Sequence, residues 1–157
     1  MAKLLSKTLD VPIVDLDDQI EAAAGKTIRE IFDEGGETAF RNWETKCLQQ
    51  VASQPPTIIA LGGGAILSEQ NRQWIGQTGT CVWLKADAAT LVQRIRSDHS
   101  TAQRRPALTT LPEHEEVARL LAERDPLYLQ VADHSVDTQG KSIDQVADQI
   151  VTWLGSR

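Results

Sequence analysis

Only two cysteines occur in the 157 residues and they form no C-x-x-C pair, which excludes a disulfide scaffold and a cysteine-rich zinc module. An excess of basic residues is also missing: 16 lysines and arginines face 22 acids, a net charge of −6, which argues against a general binder of nucleic acid or of an anionic membrane. No apolar run approaches the ~20 residues of a membrane span, and residues 1–9 (MAKLLSKTL) hold too short an apolar stretch for a signal peptide. Internal repeats, low-complexity tracts and a dividing linker are absent as well. With 41% apolar and 24% charged residues the chain is not of the disordered class. The expectation is one cytoplasmic globular domain over 1–157, which by surface scaling buries roughly 70% of its unfolded surface and needs no staples.

Four short β-branched runs, at 12–14, 57–61, 80–84 and 134–136, read as strands. They show little alternation and are separated by helical patterns, as strands buried on both faces of a parallel sheet are. The fold class is therefore α/β, a three-layer parallel sheet flanked by helices. Ser142 reads as the N-cap of a final helix with apolar residues at Ile143, Val146, Ala147, Ile150, Val151 and Leu154. Thr27 and Glu30 fit a capping box opening a short helix that ends at Gly35-Gly36, and 37–51 repeats the helical period with Phe40, Trp43, Cys47, Leu48 and Val51. The exception is 97–112 (SDHSTAQRRPALTTLP), which has no period; an aperiodic segment of that length reads as a functional or mobile lid.

Asp15-Leu16-Asp17 directly follows a strand, so both carboxylates emerge at the strand's C-terminal end, where open α/β sheets place ligands. One could hold a metal through water while the other takes a substrate proton. The competing reading is that Asp17 only caps a helix beginning at Asp18. Gly62-Gly63-Gly64 follows the second strand, and three glycines let bare backbone approach a ligand. On one helix, Arg41 and Glu44 lie three apart, so the carboxylate can orient the guanidinium; alone, such a pair is usually surface decoration. Arg124, in R-D-P-L-Y, is placed at the end of a helix that Pro126 then stops.

Arg94, Arg96, Arg104 and Arg105 stand against one acid, Asp98, a basic flap suited to a polyphosphate. A phosphate loop of the form G-x-x-x-x-G-K-[ST] would complete such a site, and the sequence contains none. Gly25-Lys26-Thr27 has Ile20 in the leading position and follows a helix; Gly140-Lys141-Ser142 has Ser135 there and reads as a turn and N-cap. The histidines and cysteines share no metal-ligand spacing, and the four tryptophans are scattered as packing residues.

In order along the chain, V-P-I-V-D-L-D (11–17), I-F-D-E-G-G-E-T-A-F-R-N-W-E (31–44), I-I-A-L-G-G-G (58–64), N-R (71–72), R-R-P-A-L (104–108) and R-D-P-L-Y (124–128) resemble shikimate kinase from end to end. The resemblance implies a P-loop kinase fold with a five-stranded parallel sheet, acting on ATP with Mg²⁺ to phosphorylate the 3-hydroxyl of shikimate. It implies that Asp17 binds the reacting hydroxyl and accepts its proton, and that Asp15 holds Mg²⁺ through water. Arg41 and Arg124 match the grip on the shikimate carboxylate, with Glu44 orienting Arg41, and Gly62, Gly63 and Gly64 match the substrate-facing turn. Arg105 matches the lid arginine that reaches the phosphates, with Arg104 and Arg96 as further nucleotide contacts. A monomer is expected, with no nucleic-acid or membrane partner.

Three features depart from the family pattern. Leu61 stands where Thr or Ser is common, and R-P-A-L replaces R-P-L-L. By the family's spacing the phosphate-loop lysine would fall just before Met1, and with it the first strand, central in the sheet between 57–61 and 80–84. The expectation is a start displaced by roughly twenty residues, one strand plus one loop. The alternatives are a shikimate-binding regulatory module without ATP chemistry, or a kinase for another small carboxylated alcohol.

Overall fold

Strand β1 (Ile13–Asp15) passes without a loop into helix α2 (Leu16–Ala24), because Asp15 ends the strand and caps the helix, its Oδ1 accepting the Asp17 N–H at 3.0 Å. An extended residue with a short acidic side chain suits that junction. The helix therefore starts at Leu16, not Asp18, and its cap is Asp15, not Asp17. This computed structural model describes residues 1–97 and 112–157.

Ahead of β1 lies α1 (Ala2–Leu9), which a left-handed Asp10 closes. After α2, Gly25 provides the left-handed C-cap and Thr27 opens α3 (Ile28–Ala52) with the expected reciprocal capping box to Glu30. Helical backbone geometry is interrupted at Gly36, whose φ of 65° and ψ of −167° are open essentially to glycine alone. Phe32 and Phe40 stack across this kink with ring centroids 4.9 Å apart. The expected division at Gly35-Gly36 is therefore met, as a kink that separates two helical segments within α3.

Next come β2 (Ile58–Ala60), a 3₁₀ turn (Ala65–Leu67), α4 (Glu69–Thr78), β3 (Val82–Lys85) and α5 (Ala88–Ser97). Beyond the undescribed segment follow α6 (Glu113–Val131), β4 (His134–Asp137) and α7 (Ile143–Gly155), the last opened by a capping box from Ser142 to Gln145. Pro126 lies inside α6 and does not end it. An internal proline removes one intrahelical bond and crowds the carbonyl four residues back, so the helix continues only where packing holds it. The turn beyond it is held from outside, because Leu127, Tyr128 and Val131 pack on the core.

Both strand pairs are parallel: Ile13, Val14 and Asp15 lie beside Ile58, Ile59 and Ala60, while Val82 to Lys85 lie beside His134 to Asp137. The four strands form two two-stranded sheets, β1-β2 and β3-β4, and among the described residues β2 does not pair with β3. That interruption falls between the runs at 57–61 and 80–84.

The core falls into two clusters. Leu16, Ile20, Ile28, Ile31, Phe40, Cys47, Leu48, Ile66 and Ile75 form one. Val136, Val146 and Ile150 form the other, covered by Met1, Leu5, Val82 and Leu154. Fully burying such side chains contributes roughly 1.5–3 kcal/mol each, so the larger cluster fixes α2, α3 and the turn after β2 relative to one another. No helix among the described residues is long and apolar enough to cross a membrane.

Candidate active site

Beyond β2 and Leu61 the chain turns on three glycines into the 3₁₀ turn. Two of the glycine carbonyls are satisfied locally: Ala65 N–H donates to Gly62 O at 3.1 Å and Leu67 N–H to Gly64 O at 3.0 Å. The Gly63 carbonyl is met from α6 instead, by the Tyr128 hydroxyl at 2.7 Å and Arg124 Nη1 at 3.3 Å. A partly buried carbonyl needs such a partner.

Each glycine abuts a different polar side chain. A Cβ at Gly62 would lie 3.5 Å from Asp17 Oδ1, and one at Gly63 would lie 3.1 Å from the Tyr128 hydroxyl and 3.7 Å from Arg124 Nη1. One at Gly64 would come within 2.6 Å of both terminal nitrogens of Arg41. Asp17 from α2, Arg41 from α3 and Arg124 from α6 therefore converge on a single turn, and only glycine at position 64 leaves room for the guanidinium.

Arg41 is fixed from its own helix. Its Nη1 donates to Glu44 Oε2 at 2.8 Å, while Nε and Nη2 donate to Glu37 Oε1 at 3.2 and 3.1 Å. The guanidinium also sits 5.1 Å from the centre of the Phe40 ring. Burial alone would lower the Arg41 pKa, but the bonds to Glu44 and Glu37 outweigh it and raise it above the ordinary value. Glu44 is only 1% exposed. Burial raises its pKa above the ordinary carboxylate value; Arg41 and the Arg124 charge oppose this, and the nearby Asp17 reinforces it. The charges of Asp17, Arg41 and Arg124 are thus all felt at one buried carboxylate.

The turn is braced from behind. Asn71, fully buried, donates from Nδ2 to Ala65 O at 2.9 Å, and Arg72 Nη1 donates to Ile66 O at 2.8 Å and Leu67 O at 3.0 Å. The N-R motif at 71–72 is accordingly the clamp on the 3₁₀ turn.

The remaining expected residues lie apart from this convergence or beyond the described chain. Asp15 is exposed and caps α2, and among the described residues no group of three or more histidines, cysteines or acids could hold a metal. Arg96, on α5, pairs with Glu113 at 2.7 Å. Arg104, Arg105 and nearly all of the expected lid at 97–112 lie outside the described residues. Arg94 belongs to no flap: it ties α5 to the end of β4 by donating to Thr138 Oγ1 at 2.8 Å and Thr138 O at 3.0 Å.

Sequence reading passed over two participants. Glu37 stands four residues before Arg41, a spacing that puts the pair on one helix face. Tyr128 stands four residues after Arg124, but the intervening Pro126 suggested that the helix had ended.

Comparison with known proteins shows the family. The shikimate kinase family model matches residues 1–155. The chain is 44% identical to a shikimate kinase of Rhodopirellula baltica over 151 residues, covering 96% of this chain and 81% of that one. It is 42% identical to shikimate kinase 2 of an Enterobacter species, covering 96% and 84%. Its structure matches that of a shikimate kinase from Acinetobacter baumannii in complex with shikimate, with a TM-score of 0.90, 32% identity and coverage of 99% of this chain and 84% of that one. The chain belongs to the shikimate kinase family of ATP-dependent phosphotransferases.

Proposed function

We propose that the chain carries out its family's reaction, transfer of the γ-phosphate of ATP to the 3-hydroxyl of shikimate, on the surface formed by the glycine turn. Arg41 and Arg124 grip the carboxylate, the ring lies against Gly62, Gly63 and Gly64, and Asp17 orients the 3-hydroxyl and takes its proton. The supporting observation is the convergence of Asp17, Arg41 and Arg124 on one three-residue turn from three separate helices. A similar protein has been solved with shikimate bound.

Two arginines on one planar carboxylate fix the ring in position and orientation. A single acid then addresses a single hydroxyl, which is the origin of regioselectivity. Phosphoryl transfer depends mainly on positioning and charge neutralisation, so arginines and backbone serve where a covalent nucleophile would not be needed.

Asp15 suits a water-mediated Mg²⁺ site in that it is an exposed carboxylate that commits only Oδ1 to the Asp17 N–H, and Mg²⁺ needs only one or two carboxylates besides waters and phosphate oxygens. When bound, the ion neutralises charge on the transferred phosphoryl group. Arg96 is the described candidate for nucleotide contact; Arg104 and Arg105 carry the same expectation from the family resemblance. We further infer a cytoplasmic monomer acting on small molecules, which suits the acidic net charge of −6 and the two unpaired cysteines, Cys47 and Cys81.

Calorimetry with shikimate and with ATP·Mg²⁺ on the 157-residue chain, followed by a coupled turnover assay, tests this reading. Shikimate binding by the 157 residues is expected, with product formation once the phosphate loop that these residues lack is supplied. Absence of shikimate binding would overturn the site, and binding without turnover even with that loop supplied would favour the regulatory alternative.

A further inference from the structure

We propose that Tyr128 is a positioning residue for substrate recognition: it occupies the Gly63 carbonyl and so keeps the Arg124 guanidinium available to the substrate carboxylate. This role rests on the reading of Arg124 as part of the carboxylate grip.

Gly63 O is the one carbonyl of the glycine turn that the turn's own backbone does not satisfy, and two donors on α6 contend for it. The phenol lies at 2.7 Å, the ordinary length of an O–H···O bond. Arg124 Nη1 lies at 3.3 Å, longer than the usual N–H···O distance, although a charged donor normally draws closer than a neutral one. Tyr128 is therefore the principal partner, and Arg124 only leans on the same oxygen. Five N–H donors belong to a guanidinium, and one weak contact leaves its fork open to a bidentate acceptor.

The phenol is held independently of any ligand. Its ring stacks on Trp83 of β3 with centroids 5.1 Å apart and an interplanar angle of 25°. The unbroken course of α6 through Pro126 places Arg124 and Tyr128 one turn apart on the same face. Without the hydroxyl, Gly63 O would lose its principal donor, and among the described residues the remaining donor is Arg124. The guanidinium would then close on the turn at the expense of the ligand.

Tyr128→Phe removes the hydroxyl while keeping the ring and its stack. It should weaken shikimate binding about fivefold, the effect of losing one ordinary hydrogen bond. Because Tyr128 acts through Arg124, the same change made in an Arg124→Ala background should have no further effect. The methyl ester of shikimate, which lacks the charged carboxylate, should bind equally well to Tyr128→Phe and to the unaltered chain. These three results by calorimetry, with near-coincident thermal unfolding curves, would establish the role. An undisturbed shikimate affinity in Tyr128→Phe, with Arg124→Ala strongly impaired, would overturn the positioning role alone. An equal loss for acid and ester, or in both backgrounds, would also overturn it. Unimpaired binding by Arg124→Ala would remove the grip itself and the positioning role with it.

Discussion

The guanidinium of Arg41 occupies the space that a side chain on Gly64 would fill: a Cβ there would lie 2.6 Å from Nη1 and Nη2 and 2.9 Å from Cζ. The displaced atoms are the far end of a flexible side chain, so Gly64→Ala should fold and should move Arg41. We expect a loss of shikimate affinity of about tenfold or more with little change in thermal stability, as one charge-assisted contact is worth ~1.5–3 kcal/mol. Gly62→Ala, where the nearest atom is Asp17 Oδ1 at 3.5 Å, should be far milder. A larger binding loss at position 62 than at 64 would contradict the assignment of Arg41.

Arg41→Ala and Arg124→Ala should each raise the apparent KM for shikimate by about 10- to 150-fold, the range spanned by ~1.5–3 kcal/mol. Neither should alter the affinity for ATP·Mg²⁺ comparably. Unchanged shikimate kinetics in both variants would point to a different substrate.

The buried Glu44 carboxyl predicts a pH dependence of definite sign. Burial raises its pKa in the folded chain above the unfolded value, with Arg41 opposing. Its contribution to stability is therefore complete below the ordinary carboxylate range and declines as pH rises through the raised folded pKa. Shikimate affinity should run the other way, improving over the same interval as the carboxylate forms and fixes Arg41. Glu44→Gln should flatten that limb of both profiles, measured by denaturant unfolding and calorimetry from about pH 4.5 upward. An unaltered slope in Glu44→Gln would show that another group controls Arg41.

Two glycines outside the site offer a contrast in stability. Gly36→Ala forces a side chain into a left-handed φ of 65° at the α3 kink and should cost about 1–3 kcal/mol. Gly76→Ala, inside α4 and with nothing within 4 Å of the added Cβ, should instead stabilise by about 0.5–1 kcal/mol. Urea unfolding of the two variants would compare them directly, and similar midpoints would argue against strain at Gly36.

Much of the local structure was legible because it depends on neighbours in the chain. The capping boxes at Thr27 and Ser142, the division of α3 at Gly36 and the four strands follow from residue types at short spacing. Where α6 ends was misread, since Pro126 argues locally for termination while Leu127, Tyr128 and Val131 are held by residues far away in sequence. Asp17 was weighed as a helix cap for the same reason: Asp15 and Asp17 are chemically alike, and only the backbone geometry of Asp15 decides which of them takes the role.

The sequence by itself determined the α/β class, the order of the family's motifs and the residue types available for gripping a small carboxylated alcohol. Hydrophobic period, caps and glycine placement operate over a few residues and are written directly in the chain. Only the tertiary structure decided that Gly62, Gly63 and Gly64 face Asp17, Tyr128 with Arg124, and Arg41 respectively, and that one carbonyl is shared between two donors on α6. Those contacts join residues up to 65 positions apart. They arise from packing α2, α3, α4 and α6 around one buried cluster, a geometry that no local pattern encodes.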